Sequence, residues 1–379
     1  MRCGILIVGA GITGSLLAEH FTRLEYDVCI IDRERPGFGS TAASTAMLLW
    51  EIDCPLTELT NYHGFERAAD IYRHSVRAVS GLHALVTGLG LDCALRQRSS
   101  LYFSGSDCGP RELLTEHDLR TRAGLPGFYI DYRTLQGEFG FSREAALLSP
   151  GAADADPLLL SRALVATAAA RGATVFDAEA MTYDPGKGCV LVGLDNGYCI
   201  EAEHVVLATG YVIPECVKSD LHGTSSSWAL ATPPQRRGGL WRDGLLLWEA
   251  SEHYIYARTT ADNRIIIGGE DDDALVDPAK RDEAMPRKAA ALLAKLSTLV
   301  PQADAVADFI WSGAFGETLD GLPLIGRVPG IPRLFAAYGY GGNGITFSFL
   351  ASRVLAAMVA GRHEPWYEGF ALDRTSPAA

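Results

Sequence analysis

Positive charge is in short supply: 33 Lys and Arg stand against 46 Asp and Glu, a net charge of −13. That balance disfavours nucleic acid and anionic membrane as main partners, and it says nothing of fold. No run of about 18 apolar residues is present, so no transmembrane segment is expected. The opening apolar run, Ile5 to Val8, is too short and too early for a secretory leader, so none is expected. The eight cysteines are scattered and unpatterned. Cys3, Cys29, Cys54, Cys93, Cys108, Cys189, Cys199 and Cys216 form no CxxC pair, and none has His at metal-ligand spacing. Reduced thiols in a cytoplasmic protein, with no metal, are the expectation. The nine His show no pattern, and no Gly-x-Ser-x-Gly nucleophile elbow is found. Low-complexity tracts and internal repeats are also missing.

What is present is apolar residues, 48% of the chain, enough to build cores. At 379 residues two domains are expected. Two glycine-rich turns lie at opposite ends: Gly9-Ala10-Gly11-Ile12-Thr13-Gly14, and Gly339-Tyr340-Gly341-Gly342-Asn343-Gly344-Ile345-Thr346. Each follows an apolar run and precedes a helical pattern. A cofactor long enough to need a turn at both ends would explain the pair, and FAD is such a cofactor.

Between the turns the pattern changes twice. The opening predicts a strand, a turn, a helix over Thr13 to about Leu24, and a strand Val28 to Ile31. Apolar spacing predicts a helix from about Asn61 to Thr87. Asp156-Pro157 is a helix start, with the helix running to about Arg171. Strand Thr174 to Phe176, a hairpin around Asp195-Asn196-Gly197, and Val205 to Ala208 follow. From about Ser226 to Gly316 strands dominate, at Gly244 to Trp248, Tyr254 to Thr259 and Arg264 to Gly268, with one helix, Ala284 to Leu299. After Asp320 the strand–turn–helix style returns, with Leu334 to Ala337 and Phe347 to Ala360. The expectation is an α/β chain, α+β overall. Its cofactor domain is discontinuous, at residues 1–85, 150–225 and 318–379. A substrate domain built on an antiparallel sheet, residues 86–149 and 226–317, is inserted between these segments.

The first turn has the spacing of a dinucleotide fingerprint. Gly9 allows the tight turn, Gly11 lets backbone N–H groups approach a pyrophosphate, and Gly14 lets helix pack on strand. The phosphate then sits at a helix N-terminus, where free N–H groups and the helix dipole favour an anion. Asp32 ends the second strand, where a carboxylate accepts bonds from ribose hydroxyls and repels a 2′-phosphate. Gly39-Ser40-Thr41-Ala42-Ala43-Ser44-Thr45-Ala46 is small and hydroxyl-rich, suited to wrap a pyrophosphate and approach a flat ring. Val206 to Tyr211 repeats the strand-to-turn style. The last turn aims a helix N-terminus at a target that gains negative charge, such as a flavin N1–C2=O edge.

With Thr318-Leu319-Asp320-Gly321-Leu322-Pro323-Leu324-Ile325-Gly326, these segments fall in one order over nearly the whole chain. In that order the chain resembles the FAD-dependent D-amino acid oxidase family, which includes glycine oxidase and sarcosine oxidase-like enzymes. The resemblance implies a Rossmann-like FAD-binding domain of the glutathione-reductase type. It implies that Asp32, with Arg33 beside it, holds the adenosine ribose. Ser40, Thr41, Ser44, Thr45 and Ala46 would line pyrophosphate and flavin beside Gly9, Gly11, Ile12, Thr13 and Gly14. Met181 would lend its backbone to adenine. Ala208, Thr209, Gly210 and Tyr211 would flank the nucleotide, and Gly341, Gly342, Asn343, Gly344, Ile345 and Thr346 would cover the pyrimidine edge.

Departures from the family pattern widen the expected substrate field to amines, modified amino acids or hydroxy compounds. Where glycine-oxidase-type members carry an Arg that clamps a substrate carboxylate, this chain has Phe315. A second family Arg corresponds to Gly342, and a family Lys to Thr346. The cysteine used for covalent attachment corresponds to Gly313, and no His lies in residues 33–51, so the FAD is expected to be non-covalent. Substrate-pocket candidates are Trp50, Tyr254, Tyr256, Arg258 and Phe315. Tyr254, Tyr256 and Arg258 alternate and so share a strand face. Glu51 and Glu270 would instead favour a cationic amine, while His253 reads as structural. The expected function is oxidation of a C–N bond in an amine or amino-acid-like substrate, with hydride passing to flavin N5 and an imine leaving. Oxygen or another acceptor would reoxidise the flavin. A non-catalytic FAD-binding subunit, a flavin dehydrogenase acting on a hydroxy compound, and an NAD-linked dehydrogenase are the alternatives.

Overall fold

In a computed structural model, residues 1–375 are described except 218, 237 and 252. Two sheets carry the fold. The first runs in the order Leu324–Arg327, Leu334–Tyr338, Cys199–Leu207, Arg2–Val8, Val28–Asp32, Thr174–Asp177. Its four central pairings, from Leu334–Tyr338 to Thr174–Asp177, are parallel. These strands read as continuous apolar runs because both faces are covered. Helices Ile12–Arg23, Pro157–Ala170, Phe65–Leu89 and Gly344–Val359 bury one face around Ile5, Ile7, Ile30 and Phe335. The hairpin Ala180–Pro185 and Val190–Leu194 extends the sheet, and its Val190 and Val192 join the core on the other face.

The second sheet runs Phe309–Thr318, His222–Ala231, Ile265–Asp272, Ile255–Thr259, Leu246–Glu249, Arg96–Phe103, Ala145–Asp154, Met47–Leu48, with Phe128–Asp131 paired to Ala145–Asp154. It is antiparallel except where Leu246–Glu249 runs parallel to Arg96–Phe103. It draws Met47–Leu48 and the start of His222–Ala231 out of segments expected to build the first domain. The chain thus passes from sheet to sheet just after the residue 39–46 loop, which Met47–Leu48 ties to the second sheet. Helix Pro278–Leu299 packs on this sheet through Leu292, Leu296 and Leu299.

Two helices differ from the sequence expectation. The 61–87 pattern is split: Leu56–His63 ends at Gly64, whose φ of +78° no helix admits, and Phe65–Leu89 starts anew. The later helix begins at Pro278, before Ala284, because Asp277 accepts the N–H groups of Ala279 and Lys280 at 3.1 Å. This is the cap-then-proline signature already seen at Asp156-Pro157, where Asp156 accepts the Leu159 N–H at 2.9 Å. Gly341–Val359 is long and apolar enough to cross a membrane, a feature missed by counting unbroken apolar residues. Some 78% of that stretch is buried inside the protein, as in a core helix.

Candidate active site

The first turn is built by sterics. Gly9 has φ +107°, and a Cβ there would lie 2.3 Å from the Ala208 carbonyl oxygen. A Cβ on Gly14 would lie 1.8 Å from the Gly9 oxygen. These two glycines are obligatory for packing helix against strand. Gly11 meets only the Thr41 hydroxyl, at 3.1 Å, and leaves the helix N-terminus open. Asp32 clamps the turn: its carboxylate accepts the Ala10 N–H at 2.6 Å and the Glu34 N–H at 2.9 Å. Thr41 accepts the Ile12 N–H at 2.9 Å, so the residue 39–46 loop is fastened to the first helix.

Above this turn lies a cavity of about 770 Å³ that spans both sheets. It touches both glycine-rich bends. Gly9, Gly11, Ile12 and Thr13 line it from the first bend; Gly341, Gly342, Asn343, Gly344 and Ile345 line it from the last. Asp32, Arg33 and Met181 line it from the first sheet, as do Ala208, Thr209, Gly210 and Tyr211. Ser40, Thr41, Ser44, Thr45 and Ala46 line the crossing between sheets. From the second sheet come Trp248, Tyr254, Tyr256 and Phe315. The Tyr254 and Tyr256 ring centroids are 6.2 Å apart.

Four expected site residues do not line the cavity. Gly14 lies beneath the turn, where its missing side chain matters for packing. Thr346 is buried, and its hydroxyl donates to the Leu49 carbonyl at 2.8 Å. Trp50 is fully buried, donating to the Pro150 carbonyl at 2.8 Å. It points into the core because Met47–Leu48 pairs with the second sheet and sets the chain direction. Arg258 shares the tyrosine face but sits behind the wall, donating to the Thr45 carbonyl and pairing with Asp154 at 3.6 Å. Its role is to hold the loop. Glu51 and Glu270 also turn away: Glu51 is buried against Arg120, and Glu270 pairs with Lys295.

The sequence reading missed Asp53. Its backbone N–H donates to Asn343 Oδ1 at 3.0 Å, and its carboxylate accepts the Gly342 N–H. Asp53 is exposed, and its carboxylate lines the cavity. Desolvation by the surrounding cavity walls pushes its pKa up to about 6; the Gly342 N–H opposes the rise, while Asp271 and Glu317 add to it. Tyr254 donates its hydroxyl to Asp271, whose own pKa is raised by burial. Burial raises Tyr256 to about 12, so both phenols stay protonated at neutral pH. Trp248 stacks on Tyr102 at 3.8 Å, and its indole N–H has no hydrogen-bond partner among the described residues. The signal available in the sequence was position: Asp53 ends the segment that continues directly from the 39–46 loop.

These features suit a long dinucleotide. The helix N-terminus is open at Gly11, a carboxylate stands at the end of the second strand, and one cavity reaches both bends. Comparison with known proteins points the same way. A family model described as FAD dependent oxidoreductase (DAO) matches residues 4–358. The chain is 23% identical over 373 residues to gamma-glutamylputrescine oxidoreductase of Escherichia coli (strain K12), covering 96% of this chain and 85% of that one. It is 24% identical to glycine oxidase of Bacillus licheniformis, covering 98% of each. Among solved structures, glycine oxidase from Geobacillus kaustophilus superposes with a TM-score of 0.80, 21% identity and 99% coverage of both chains. L-proline dehydrogenase from P. horikoshii gives 0.81 at 18% identity, covering 98% of this chain and 97% of that one.

Proposed function

The chain belongs to the DAO family of FAD-dependent oxidoreductases, and on that premise we propose that it oxidises a C–N bond of an amine bound without a carboxylate clamp. The observation that carries this reading is the charge of the cavity wall. Among its described lining residues the sole Lys, Arg or His is Arg33, which pairs with Glu179 at 3.1 Å beside the end of the second strand. The aromatic end holds Asp53 and no cation. A substrate carboxylate would find no two-pronged partner there, whereas an amine is compatible with the wall.

When bound, FAD supplies the hydride acceptor. Asp32 and the N–H groups at the first helix start would hold its ribose and pyrophosphate, and the last turn its pyrimidine edge. Trp248, Tyr254, Tyr256 and Phe315 would exclude water and orient the C–H bond next to nitrogen. Binding without a covalent bond is supported by Gly313, which lines the cavity, and by Cys216 being the one described lining cysteine. The relatives named for gamma-glutamylputrescine and glycine support a nitrogen-bearing substrate, and Phe315 in the wall offers no charge to a carboxylate next to the reacting carbon.

The test is anaerobic titration of the yellow protein with a panel of primary and secondary amines, glycine, D-alanine and simple alcohols, following flavin bleaching. Amines without a carboxylate should bleach it and glycine should not. Bleaching by alcohols alone would replace the amine reading with a hydroxy-compound dehydrogenase. No bleaching by any member would favour a non-catalytic FAD-binding subunit.

A further inference from the structure

We propose that Asp53 is the specificity-determining residue of this site and that it binds the positively charged nitrogen of a cationic amine. The proposal deepens the amine reading above and rests on it.

The geometry begins with what surrounds the carboxylate. Its one hydrogen bond among the described residues is from the Gly342 N–H. No described cation pairs with it. The charged groups facing it are Asp271, from the strand Ile265–Asp272, and Glu317, from the strand Phe309–Thr318. The turn it touches adds none, and Lys288 is engaged beyond, with Asp272 at 3.3 Å. A carboxylate lining a cavity and facing like charges favours a cation beside it. The same surroundings raise its pKa.

Two further observations say where the cation comes from. A Cβ on Gly341 or Gly342 would lie 2.6 or 3.1 Å from the Asp53 carboxylate oxygens, so glycine keeps the space before it clear. An arginine at position 342 would neutralise Asp53 from within the protein. With glycine, the neutralising charge is left to the ligand. The protein supplies the carboxylate and the substrate the ammonium, which passes a proton to water before hydride leaves the neighbouring carbon. Tyr254, Tyr256 and Trp248 line the same cavity, and aromatic faces attract a cation.

The probe is tert-butylammonium, which carries a charged –NH₃⁺ but no hydrogen on the carbon next to nitrogen, so it binds without turnover. Its binding to the FAD-loaded protein is read from the perturbed flavin spectrum, with tert-butanol as the uncharged control. We expect the affinity to fall roughly tenfold or more in Asp53→Asn, the loss of one charged hydrogen bond. We expect a comparable fall in Gly342→Arg. In the wild type, binding should weaken as pH drops through about 6, where the carboxylate takes a proton. The KM for n-butylamine should rise in Asp53→Asn with a smaller change in kcat.

An affinity within about twofold in Asp53→Asn, or a wild-type affinity that does not change between about pH 5 and 8, overturns the proposal. The wild-type titration requires no variant to fold. Asp53-dependent binding of the probe without bleaching by any amine would leave the cation site standing and remove the oxidation reading. Amine bleaching with equal KM in both proteins would do the reverse.

Discussion

Replacing Arg120 with methionine tests how the segment bearing Asp53 is held. Arg120 is 4% exposed and donates to Glu51 Oε1 and Glu116 Oε1, each at 2.7 Å. Glu116 in turn accepts the N–H groups of Leu56 at 2.9 Å and Thr57 at 2.8 Å, capping the helix that follows Asp53. Glu51 accepts the Ser149 hydroxyl at 2.7 Å and that of Ser100. Its carbonyl receives Asn343 Nδ2 at 2.8 Å, which links the network to the last glycine-rich turn. Burial pushes the Glu116 pKa up, but the Arg120 charge and the hydrogen bonds outweigh it and hold the group below the usual carboxylate range. Methionine fills similar space and leaves two buried carboxylates without a counter-charge. The expected cost is about 3–5 kcal/mol. For 379 residues, at an unfolding entropy of about 2.1 cal/mol/K per residue, that lowers Tm by roughly 4–6 °C. The triple variant Arg120→Met, Glu51→Gln, Glu116→Gln should recover most of the loss, since neutral amides keep acceptors without charge. Calorimetry gives the Tm values, and FAD titration of the apo-proteins should show weaker binding in the single variant. A triple variant no more stable than the single one would refute the charge argument and leave packing as the cause.

Three other outcomes are expected. Asp32→Ala removes the acceptor for the Ala10 and Glu34 N–H groups and the carboxylate expected at the ribose. FAD affinity, read by fluorescence on the apo-protein, should fall, and an unchanged affinity would contradict the ribose assignment. Phe315→Arg places a guanidinium in the cavity wall and should create turnover of small D-amino acids through a charged hydrogen bond worth roughly 1.5–3 kcal/mol; a substrate profile unaltered from wild type would sink that reading. His20 is buried, and burial, with help from Arg353 and Arg23, lowers its pKa to about 3. The unfolded chain takes up its proton near pH 6.5 and the folded chain does not, so stability present above pH 6.5 is lost as pH falls toward 3, by about 1.4 kcal/mol per unit. Urea midpoints at neutral and mildly acidic pH should converge for His20→Gln relative to wild type, and parallel pH slopes would exclude His20 as the source.

Much of the nucleotide-binding half was legible because its constraints are local. A turn that needs positive φ at Gly9 and no side chain at Gly14 advertises itself through glycine spacing. Doubly covered parallel strands advertise themselves as apolar runs. The same reasoning misplaced Trp50 and Arg258. An aromatic ring or a guanidinium near a loop looks alike whether it faces a cavity or the core behind it. Strand alternation correctly put Arg258 on the tyrosine face, but depth along that face depends on Asp154 and Thr45, which come from other parts of the chain.

By themselves, then, the residues in order determined the cofactor class and the two glycine-rich bends that line the cavity. Only the folded chain decided which side chains share the cavity, because that depends on pairings between distant segments. Asp53 meets Gly342 across nearly the length of the chain. Neither residue carries a local pattern that points to the other. Their meeting follows from Met47–Leu48 joining the second sheet while the last helix packs on the first.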